Sequence, residues 1–465
     1  MSPSSYHMRN SHPSLARRMA RRITAVRYED FSPDTIVRLK LCLLDLFACA
    51  FEARDLPWSR RAAALAATES GPATILATGQ SASMAAAALA NGVAGHGLVR
   101  EDMHAGSVSH LGVVVLPALL ALAQRRPVHG RDFIAAAVTG YEAGARLGRV
   151  LITPDFARFF RPTGFTGPIA AASAGARLLG FDEAACTSAI ALAANTASGL
   201  NQWPHEGSED MFFHPGFAAR SGVTAALLAE LGAEGSEGAL DGPAGLLTAY
   251  LAGKPVPDIK LFDGPPELLA VYNKPVPACN FAQTPCQAAL AAVRGHAIAT
   301  ADIRWVRIAA SFAAVKYPGC DYEGPYRTRL QAKMSIQFSV AAALRRGVIA
   351  EANYEHLDDP EIMRLVRLVH LEADNGFTAD FPARQGSRIE IELADGRKLS
   401  ETLADVVPAT ETEIRARFRA SAIETLGAPR ASAIEQMIDR LETAPSAGDL
   451  PRLAATAHNA ATSAA

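Results

Sequence analysis

Residues 32–53, SPDTIVRLKLCLLDLFACAFEA, form the stretch that decides the fold class. Ser32 is a residue type that caps helix N-termini, and Pro33 follows it at the first helical position, where proline is well tolerated. Apolar residues then recur every three or four positions, which is the spacing of a helix; they are Ile36, Leu39, Leu43, Leu44 and Phe47. The stretch therefore predicts a helix with a wide buried face.

Similar segments continue to about residue 265. Examples are VVVLPALLALAQRR (113–126) and GRDFIAAAVTGYEAGARLGRVL (130–151), and short Gly, Pro or Asp breaks separate them. Because these segments are apolar around most of their circumference, we expect helices packed inside a large all-helical domain.

The pattern changes after residue 234, where Gly, Pro and Asp become frequent. IRWVRIAASFAAV (303–315) begins like a strand, and KMSIQFSVAAALRRG (333–347) predicts a helix. SRIEIELADGRKLSETL (387–403) predicts two strands joined by a tight turn at Asp395-Gly396. Helical patterns return after residue 410 and could rejoin the first domain.

Composition narrows the class of protein. Lys and Arg number 45 against 47 Asp and Glu, a net charge of −2, so neither a nucleic-acid partner nor a membrane surface is indicated. The longest apolar runs are too short to span a bilayer and no secretory signal is evident, so we expect a cytoplasmic protein. The six cysteines contain no Cys-x-x-Cys pair and predict buried thiols rather than disulfides or a zinc site.

Four polar islands interrupt the apolar background. Each alone is most simply a solvated loop, but together they supply Arg, Lys and His side chains suited to an anionic small molecule. The islands are VREDMHAGSVSHLG (99–112), FARFFRPTGFTGP (156–168), NQWPHEGSEDMFFHPGFAARSG (201–222) and NKPVPACNF (273–281).

A metal or an organic cofactor is not expected. Glu101, Asp102, His104 and His110 could in principle bind a transition metal, but their spacing matches no known metal-binding helix pattern. No Walker motif or strand–GxGxxG–helix motif occurs either. Acid–base chemistry without a cofactor is the remaining prediction.

Seven ordered segments resemble the MmgE/PrpD family over roughly residues 20–430, among them RPTGFTGPIAAASAGARLLGF, HPGFAARSGVTAALLAELG and KPVPACNFAQTPCQAAL. That family includes 2-methylcitrate dehydratase, cis-aconitate decarboxylase and iminodisuccinate epimerase. The resemblance implies a homodimer that acts on small di- or tricarboxylates without a metal or cofactor. It also implies a mainly α fold, with an all-helical domain from residues 1–267 and 404–465 and a smaller α+β domain at 268–403.

Some residues match the family motifs. His110 stands where the family has its catalytic histidine, and Lys274 matches a lysine that is expected to bind a substrate carboxylate. Asp102 matches the last aspartate of the acidic motif, and Glu101 replaces the aspartate before it.

Other positions depart from the family. Val99 replaces the first aspartate of the acidic motif, and Met103 replaces the threonine after it. Arg161 replaces a histidine before Pro-Thr-Gly, and Met211 replaces a lysine. Because dehydration needs an acid for the departing hydroxyl as well as a base, these losses favour an epimerase.

The leading prediction is therefore an isomerase that epimerises the α-carbon of an amino-dicarboxylate such as iminodisuccinate. The alternative is a hydro-lyase of the 2-methylcitrate dehydratase type, or a related cis-aconitate decarboxylase; a protein that only binds dicarboxylates is a third possibility. His110 is the predicted base, with Asp102, His104 or Tyr141 as its partner. The predicted substrate-binding residues are Arg100, Arg161, Lys274 and His214.

Overall fold

A computed structural model describes residues 13–251 and 254–455. Helices account for 58% of the chain, so the prediction of a mainly α fold is confirmed. The helix predicted at residues 32–53 is also confirmed: it runs over Pro33–Glu52, and Ser32 Oγ accepts a hydrogen bond from the Thr35 amide at 3.3 Å. In the part of the chain that the structure describes, no helix is both long and apolar enough to cross a membrane.

Residues 13–251 form a layered helical body. Its helices are α1 (Leu15–Ala25), α2 (Pro33–Glu52), α3 (Pro57–Ala66), α4 (Met84–His96), α5 (Gly112–Leu122), α6 (Gly130–Leu151), α7 (Pro154–Phe159), α8 (Pro162–Leu179), α9 (Glu183–Ala194), α10 (Trp203–Glu206), α11 (Asp210–Glu230) and α12 (Leu246–Tyr250). Three short strands accompany them: β1 (Ala73–Thr74), β2 (Ser81–Ala82) and β3 (Asp102–His104).

Small residues let the central helices approach closely. A Cβ atom added to Gly92 on α4 would lie 3.0 Å from the Cα atom of Gly216 on α11. The same two helices contact α5, which is buried along its whole length. The many alanine and glycine residues therefore allow the tight packing of these helices.

The second part carries the main sheet. Its elements are β4 (Val271–Asn273), α13 (Gln283–Val293), β5 (Ile303–Ala310), α14 (Phe312–Lys316), α15 (Arg329–Met334), α16 (Ile336–Arg346), α17 (Pro360–Val366), β6 (Val369–Ala373), α18 (Asn375–Asp380), β7 (Ser387–Leu393) and β8 (Lys398–Leu403). Four strands form a sheet in the order β6-β5-β7-β8, parallel only between β5 and β6.

The hairpin predicted at residues 387–403 is confirmed, with Gly396 at a φ of 86° in the turn. The helix predicted over residues 333–347 is instead divided between α15 and α16. Ser335 separates the two because it leaves the helical conformation and its hydroxyl caps α16 by accepting from the Phe338 amide at 2.9 Å.

The chain ends in α19 (Glu411–Leu426), α20 (Ala428–Asp439) and α21 (Asp449–Arg452). α19 packs against α2, with Ile414 and Phe418 fully buried. The last helices therefore contact the N-terminal helical body. The predicted division at residues 267 and 403 stays a prediction, and its outer limits, 1 and 465, lie outside the described residues.

All six cysteines are buried and free, as the sequence predicts. Cys279 and Cys320 approach each other, with their sulfur atoms 3.4 Å apart.

A buried ion pair joins α19 to α2. Asp45 is fully buried, and its carboxylate lies 2.5 Å from Arg417 Nη2 and accepts a hydrogen bond from Asn273 Nδ2 at 2.7 Å. Arg417 Nη1 also donates to the Lys274 carbonyl at 2.9 Å. This pair therefore connects both ends of the chain with the strand β4.

Asp45→Asn should leave Arg417 without its counter-charge and reduce the free energy of unfolding by about 3–5 kcal/mol. The matched control is Asp439→Asn, which removes a carboxylate that pairs with Arg415 at the surface and should cost ~1 kcal/mol or less. Urea denaturation of both variants provides the measurement. Equal midpoints for the two variants would contradict the role given to Asp45.

Candidate active site

The loop between α4 and α5 brings the first and fourth polar islands together. Its strand β3 pairs antiparallel with β4, so Asp102 lies opposite Asn273 and Lys274 follows directly. Val99 and Val108, on either side of β3, have φ angles of 57° and 49°, a costly conformation for β-branched residues. Such strain persists only where surrounding contacts hold it, and it is common at functional sites.

Two histidines share one carboxylate oxygen in this loop. His110 Nδ1 lies 2.7 Å from Glu101 Oε1, and His96 Nδ1 makes a shorter contact with the same atom. All three side chains are buried, at 3%, 1% and 0% exposure for His110, Glu101 and His96. His96 is the last residue of α4 and His110 stands just before α5, so the helix ends position the cluster.

The contacts define the protonation of this cluster. Burial raises the pKa of Glu101, but the two imidazoles outweigh it and hold the pKa well below its usual value. Burial is the main cause that lowers the pKa of His110 to about 3, and the nearby Lys274 ammonium lowers it further. His110 Nδ1 also contacts the Asp102 carbonyl oxygen at 3.2 Å. Because both of its neighbours are acceptors, the neutral His110 carries its hydrogen on Nδ1 and a lone pair on Nε2.

The two Nε2 atoms differ in what they contact. His96 Nε2 lies 3.4 Å from Arg161 Nη2, so a guanidinium N–H occupies its lone pair. His110 Nε2 has no protein partner within the described ranges. His110 is thus the imidazole whose basic nitrogen is available to a bound molecule.

Arg161 lies directly before α8 and lines the same region. Its Nη1 donates to the Tyr317 hydroxyl at 3.0 Å, whereas its buried Nε has no partner in the described structure. His214 on α11 is close by, and its buried Nδ1 is also without a partner. Burial, with a smaller contribution from the Arg161 charge, lowers the pKa of His214 to about 3.

Lys274 supplies a second cation. It is fully buried, and its Nζ donates to the Ala278 carbonyl at 3.1 Å. Burial lowers the pKa of Lys274, and the Glu101 carboxylate opposes that change. Arg161 and Lys274 together can therefore attract a carboxylate toward His110.

A small cavity of about 10 Å³ lies beside His110. Arg161, Tyr317, Asn280 and Cys279 line it on the polar side. Its apolar lining consists of Val99, Met103, Val108, Phe281 and Met334.

Strand alternation decides which side chains of β3 reach the cavity. Met103 lines it, whereas Asp102 and His104 point to the other side. Asp102 Oδ2 accepts a hydrogen bond from Tyr141 OH at 2.5 Å, inside the helical body. His104 Nε2 lies 2.9 Å from Glu267 Oε2. Three of the predicted catalytic residues, Asp102, His104 and Tyr141, therefore lie outside the cavity lining.

The predicted substrate-binding residues also separate. Arg161, Lys274 and His214 surround the His96–Glu101–His110 cluster, as the electrostatic influence of each on that cluster shows. Of these three, only Arg161 lines the cavity. Arg100 instead pairs with Glu52 on α2 at 2.5 Å, and it also lies outside the cavity lining.

Two domain profiles match this chain. That of the MmgE/PrpD N-terminal domain matches residues 17–258, and that of the MmgE/PrpD C-terminal domain matches residues 276–443. The chain belongs to the MmgE/PrpD family.

Several relatives of this chain are named after cis-aconitate decarboxylase. The cis-aconitate decarboxylase-like protein oryM of Aspergillus oryzae is 28% identical over 92% of this chain and 94% of its own length. The cis-aconitate decarboxylase of Aspergillus terreus is 26% identical over 89% of this chain and 90% of its own. Human cis-aconitate decarboxylase is 26% identical over 77% and 76%.

Within this MmgE/PrpD family member, several residues at the site escaped prediction from sequence. His96 ends a helix that is otherwise apolar, so its sequence context does not mark it as a site residue. For Glu101 the sequence suggests only a metal ligand or a replaced aspartate. Tyr317 and Cys279 come from the second part of the chain. A strand assignment for residues 102–104 is the signal that could have pointed to Glu101 and Met103 instead of Asp102 and His104.

The His96–Glu101–His110 cluster is also a group that could hold a metal ion, since its donor atoms lie within 4.8 Å of one another. The protonation of the two histidines does not suit a metal ion at this position. A metal ligand must offer a lone pair, whereas the Nδ1 atom of each histidine carries a hydrogen here. Arg161 and Lys274 would also repel a divalent cation.

We therefore expect that dialysis against EDTA leaves turnover and thermal midpoint unchanged. Metal analysis of the purified protein before and after dialysis provides the control. A loss of turnover that added Zn²⁺ or Mn²⁺ restores would instead place a metal on this cluster.

Asp102 should titrate near neutrality. Burial is the main cause that raises its pKa to about 7, and the carboxylates of Asp45 and Glu101 add to it, whereas the Tyr141 hydrogen bond opposes it. The folded protein then holds this proton above the unfolded pKa of about 4, so its stabilising effect is lost as pH rises through about 7.

Relative to Asp102→Asn, the wild type should lose about 1.4 kcal/mol of unfolding free energy per pH unit between pH 5 and 7. Denaturant unfolding at several pH values measures this difference. The exposed control Asp55→Asn should follow the wild type. Parallel profiles for the wild type and Asp102→Asn would show that Asp102 ionises at an ordinary pH.

Proposed function

We propose that this MmgE/PrpD protein is a cofactor-independent lyase that removes CO₂ from a small carboxylic acid, with His110 as the group that transfers the proton. The observation that carries the proposal is the environment of His110. It lines a cavity together with Arg161, and its Nε2 has no protein partner in the described structure. Its Nδ1 lies 2.7 Å from Glu101 and 3.2 Å from the Asp102 carbonyl. Among lyases, the names of the relatives support a decarboxylase.

The orientation of His110 gives the imidazole its function. Glu101 fixes the tautomer, and it stabilises the imidazolium that forms when Nε2 takes up a proton. Burial lowers the pKa of His110. A bound carboxylate brings negative charge near the ring and favours its protonation, so the substrate itself prepares the acid.

Proton transfer then accompanies bond cleavage. The bond between the substrate carbon and its carboxylate breaks, and the electron pair stays on the substrate. The protonated His110 gives its proton to this carbon and forms the new C–H bond. The products are CO₂ and the acid that is shorter by one carboxylate, and His110 returns to its neutral form. Arg161 and Lys274 stabilise the negative charge on the carboxylate that remains.

The apolar lining assists the same step. A carboxylate that leaves as CO₂ loses its charge in the transition state, and a site that hydrates it poorly favours that change. Val99 and Met103 supply such surroundings, where the family resemblance predicts an aspartate and a threonine.

The epimerase predicted from the sequence finds no support in the names of the relatives. It also needs two proton carriers on opposite faces of the substrate. We therefore prefer the lyase, and the experiment below separates the two.

Incubation with cis-aconitate in D₂O should release CO₂ and place one deuterium on the product, as followed by gas analysis and NMR. His110→Ala should reduce kcat by at least about 100-fold, because the proton carrier is lost. Glu101→Gln should reduce kcat by about 100-fold or more with a smaller effect on KM, because Glu101 contacts His110.

The matched control is His356→Ala, which removes an exposed imidazole and should retain wild-type turnover. The same assay is run with 2-methylcitrate and iminodisuccinate. Water loss from 2-methylcitrate without CO₂ would favour a hydro-lyase. Deuterium exchange and racemisation of iminodisuccinate, with neither CO₂ nor water released, would restore the epimerase.

A further inference from the structure

Two cysteine thiols contact each other at the wall of the cavity. The sulfur atoms of Cys279 and Cys320 lie 3.4 Å apart, and both side chains are buried. A disulfide joins its two sulfur atoms at about 2.05 Å, so an approach of roughly 1.4 Å would form one here. We use the name dithiol pair for Cys279 and Cys320.

The backbone holds both cysteines on the connection between α15 and α16. The Cys279 amide donates to the Lys333 carbonyl at 2.9 Å, and the Ile336 amide donates to the Cys320 carbonyl at 2.9 Å. Lys333 and Ile336 are only three residues apart. The two sulfur atoms are therefore kept near each other, although the cysteines lie 41 positions apart in the sequence.

Within the described structure, one thiol of the dithiol pair faces the cavity. Cys279 lines the cavity and retains 4% exposure, whereas Cys320 does not line it and is 0% exposed. The cavity, at about 10 Å³, has room for a molecule the size of water. A small oxidant therefore reaches Cys279 first, and Cys320 lies directly behind it.

The surroundings of Cys279 favour its thiolate, which is the reactive form of a cysteine. Burial alone would raise the pKa of this thiol. Hydrogen bonds to the sulfur from the Cys320 thiol and the Phe281 amide oppose that effect. The positive charges of Lys274 and Arg161 add to them, and the pKa of Cys279 is lowered as a result.

The other cysteines of the described chain differ from Cys279. Burial also raises the pKa of Cys320, and the neighbouring Cys279 adds to it. Burial is the main cause that raises the pKa of each of the remaining four, which are Cys42, Cys49, Cys186 and Cys286. Of the six, Cys279 is therefore the thiol that is prepared to react.

A movement of Cys320 would act on the cavity through Tyr317. The Cys320 amide donates to the Tyr317 carbonyl at 3.1 Å, which closes a turn. The Tyr317 hydroxyl accepts a hydrogen bond from Arg161 Nη1 at 3.0 Å, and both side chains line the cavity. A shift of Cys320 toward Cys279 would therefore displace the partner of Arg161.

We propose that the dithiol pair is an oxidative modification site, at which hydrogen peroxide converts Cys279 and Cys320 to a disulfide and thereby slows the reaction in the cavity. The formation of the disulfide is independent of the proposed function, whereas its effect on turnover rests on that function. Three observations carry the proposal: the contact between the two sulfur atoms, the exposure of one of them to the cavity, and the turn that joins Cys320 to Tyr317.

The oxidation proceeds in two steps. The Cys279 sulfur attacks one oxygen of hydrogen peroxide, the O–O bond breaks, and the other oxygen leaves as water with the thiol proton. The Cys320 sulfur then attacks the sulfur of the resulting sulfenic acid, the S–O bond breaks, and the hydroxyl leaves as water with the Cys320 proton. Two thiols are thus oxidised and one peroxide is reduced, which gives one disulfide and two water molecules.

Peptide mapping of the wild-type protein tests the disulfide directly. The reduced protein is treated with hydrogen peroxide, unfolded, alkylated and digested, and mass spectrometry identifies linked peptides. We expect a peptide that joins Cys279 to Cys320, the loss of two alkylated thiols, and the return of both after dithiothreitol. If all six thiols are still alkylated, if other cysteines are linked, or if Cys279 is over-oxidised beside a free Cys320, the proposal is wrong.

Cys320→Ser provides the matched variant, because its hydroxyl can donate the same hydrogen bond but cannot form a disulfide. It should keep wild-type turnover before oxidation. Excess peroxide should then oxidise its Cys279 beyond the sulfenic acid, to forms that dithiothreitol does not reduce. Cys186→Ala, which removes a buried thiol on α9, should respond to peroxide as the wild type does. The peptide map of the wild type stays decisive if either variant has a lowered thermal midpoint.

Turnover of cis-aconitate measures the effect on the cavity. In the oxidised wild type it should fall by at least about tenfold, because a displacement of about 1 Å within a site is that costly. Dithiothreitol should restore turnover as the two thiols return. Unchanged turnover in a protein that carries the disulfide would overturn the effect on the cavity, and so would an equal, dithiothreitol-reversible loss in Cys320→Ser.

The failures of the two proposals can be told apart. If the lyase assay gives no product but the linked peptide appears, the proposed function is wrong and the modification site stands. If CO₂ is released and no linked peptide appears, the lyase stands and the dithiol pair is not a modification site.

Discussion

The contact between one carboxylate oxygen and two imidazoles constrains the whole site. Glu101 Oε1 accepts a hydrogen bond from His96 Nδ1 and lies 2.7 Å from His110 Nδ1, and an unpaired charge at this buried position would be costly. His110 Nδ1 also contacts the Asp102 carbonyl at 3.2 Å. Since His96 ends α4 and His110 precedes α5, the loop between these helices must turn back on itself. The left-handed conformations of Val99 and Val108 follow from that requirement, and both side chains become part of the cavity wall.

Elements distant in sequence hold this loop in place. β3 pairs with β4, and β4 is connected through Asn273 to Asp45, whose carboxylate pairs with Arg417 on α19. The Lys333 ammonium, also fully buried, donates to the Leu98 carbonyl at 3.0 Å. Both ends of the chain and its middle therefore fix the position of His110, and mutations far from the cavity should act on it through these contacts.

Periodicity predicted the helices and the hairpin well, because apolar spacing reports directly on which face is buried. The sequence predicts the region of the site, but it does not predict which side chains line the cavity. A polar island shows that ionisable groups gather, but the three residues of β3 point alternately to opposite sides. One register would place Asp102 and His104 on the cavity side, whereas the observed register places Met103 in the cavity lining. Only the pairing with β4, about 170 residues away in sequence, decides between them.

The register of β3 also separates the residues of the cavity wall from the contacts that hold His110. His110 and Lys274 depend on helix ends and on β4, so the scaffold preserves them. Val99 and Met103 lie on the cavity side, where a substitution alters the wall without disturbing the Glu101 contacts. A substitution there can therefore change the polarity of the wall while the contacts of His110 with Glu101 and the Asp102 carbonyl stay in place. If His110 transfers the proton, as we propose, the cavity wall and the proton carrier are different residues of one short loop, and the wall can vary independently of the proton carrier.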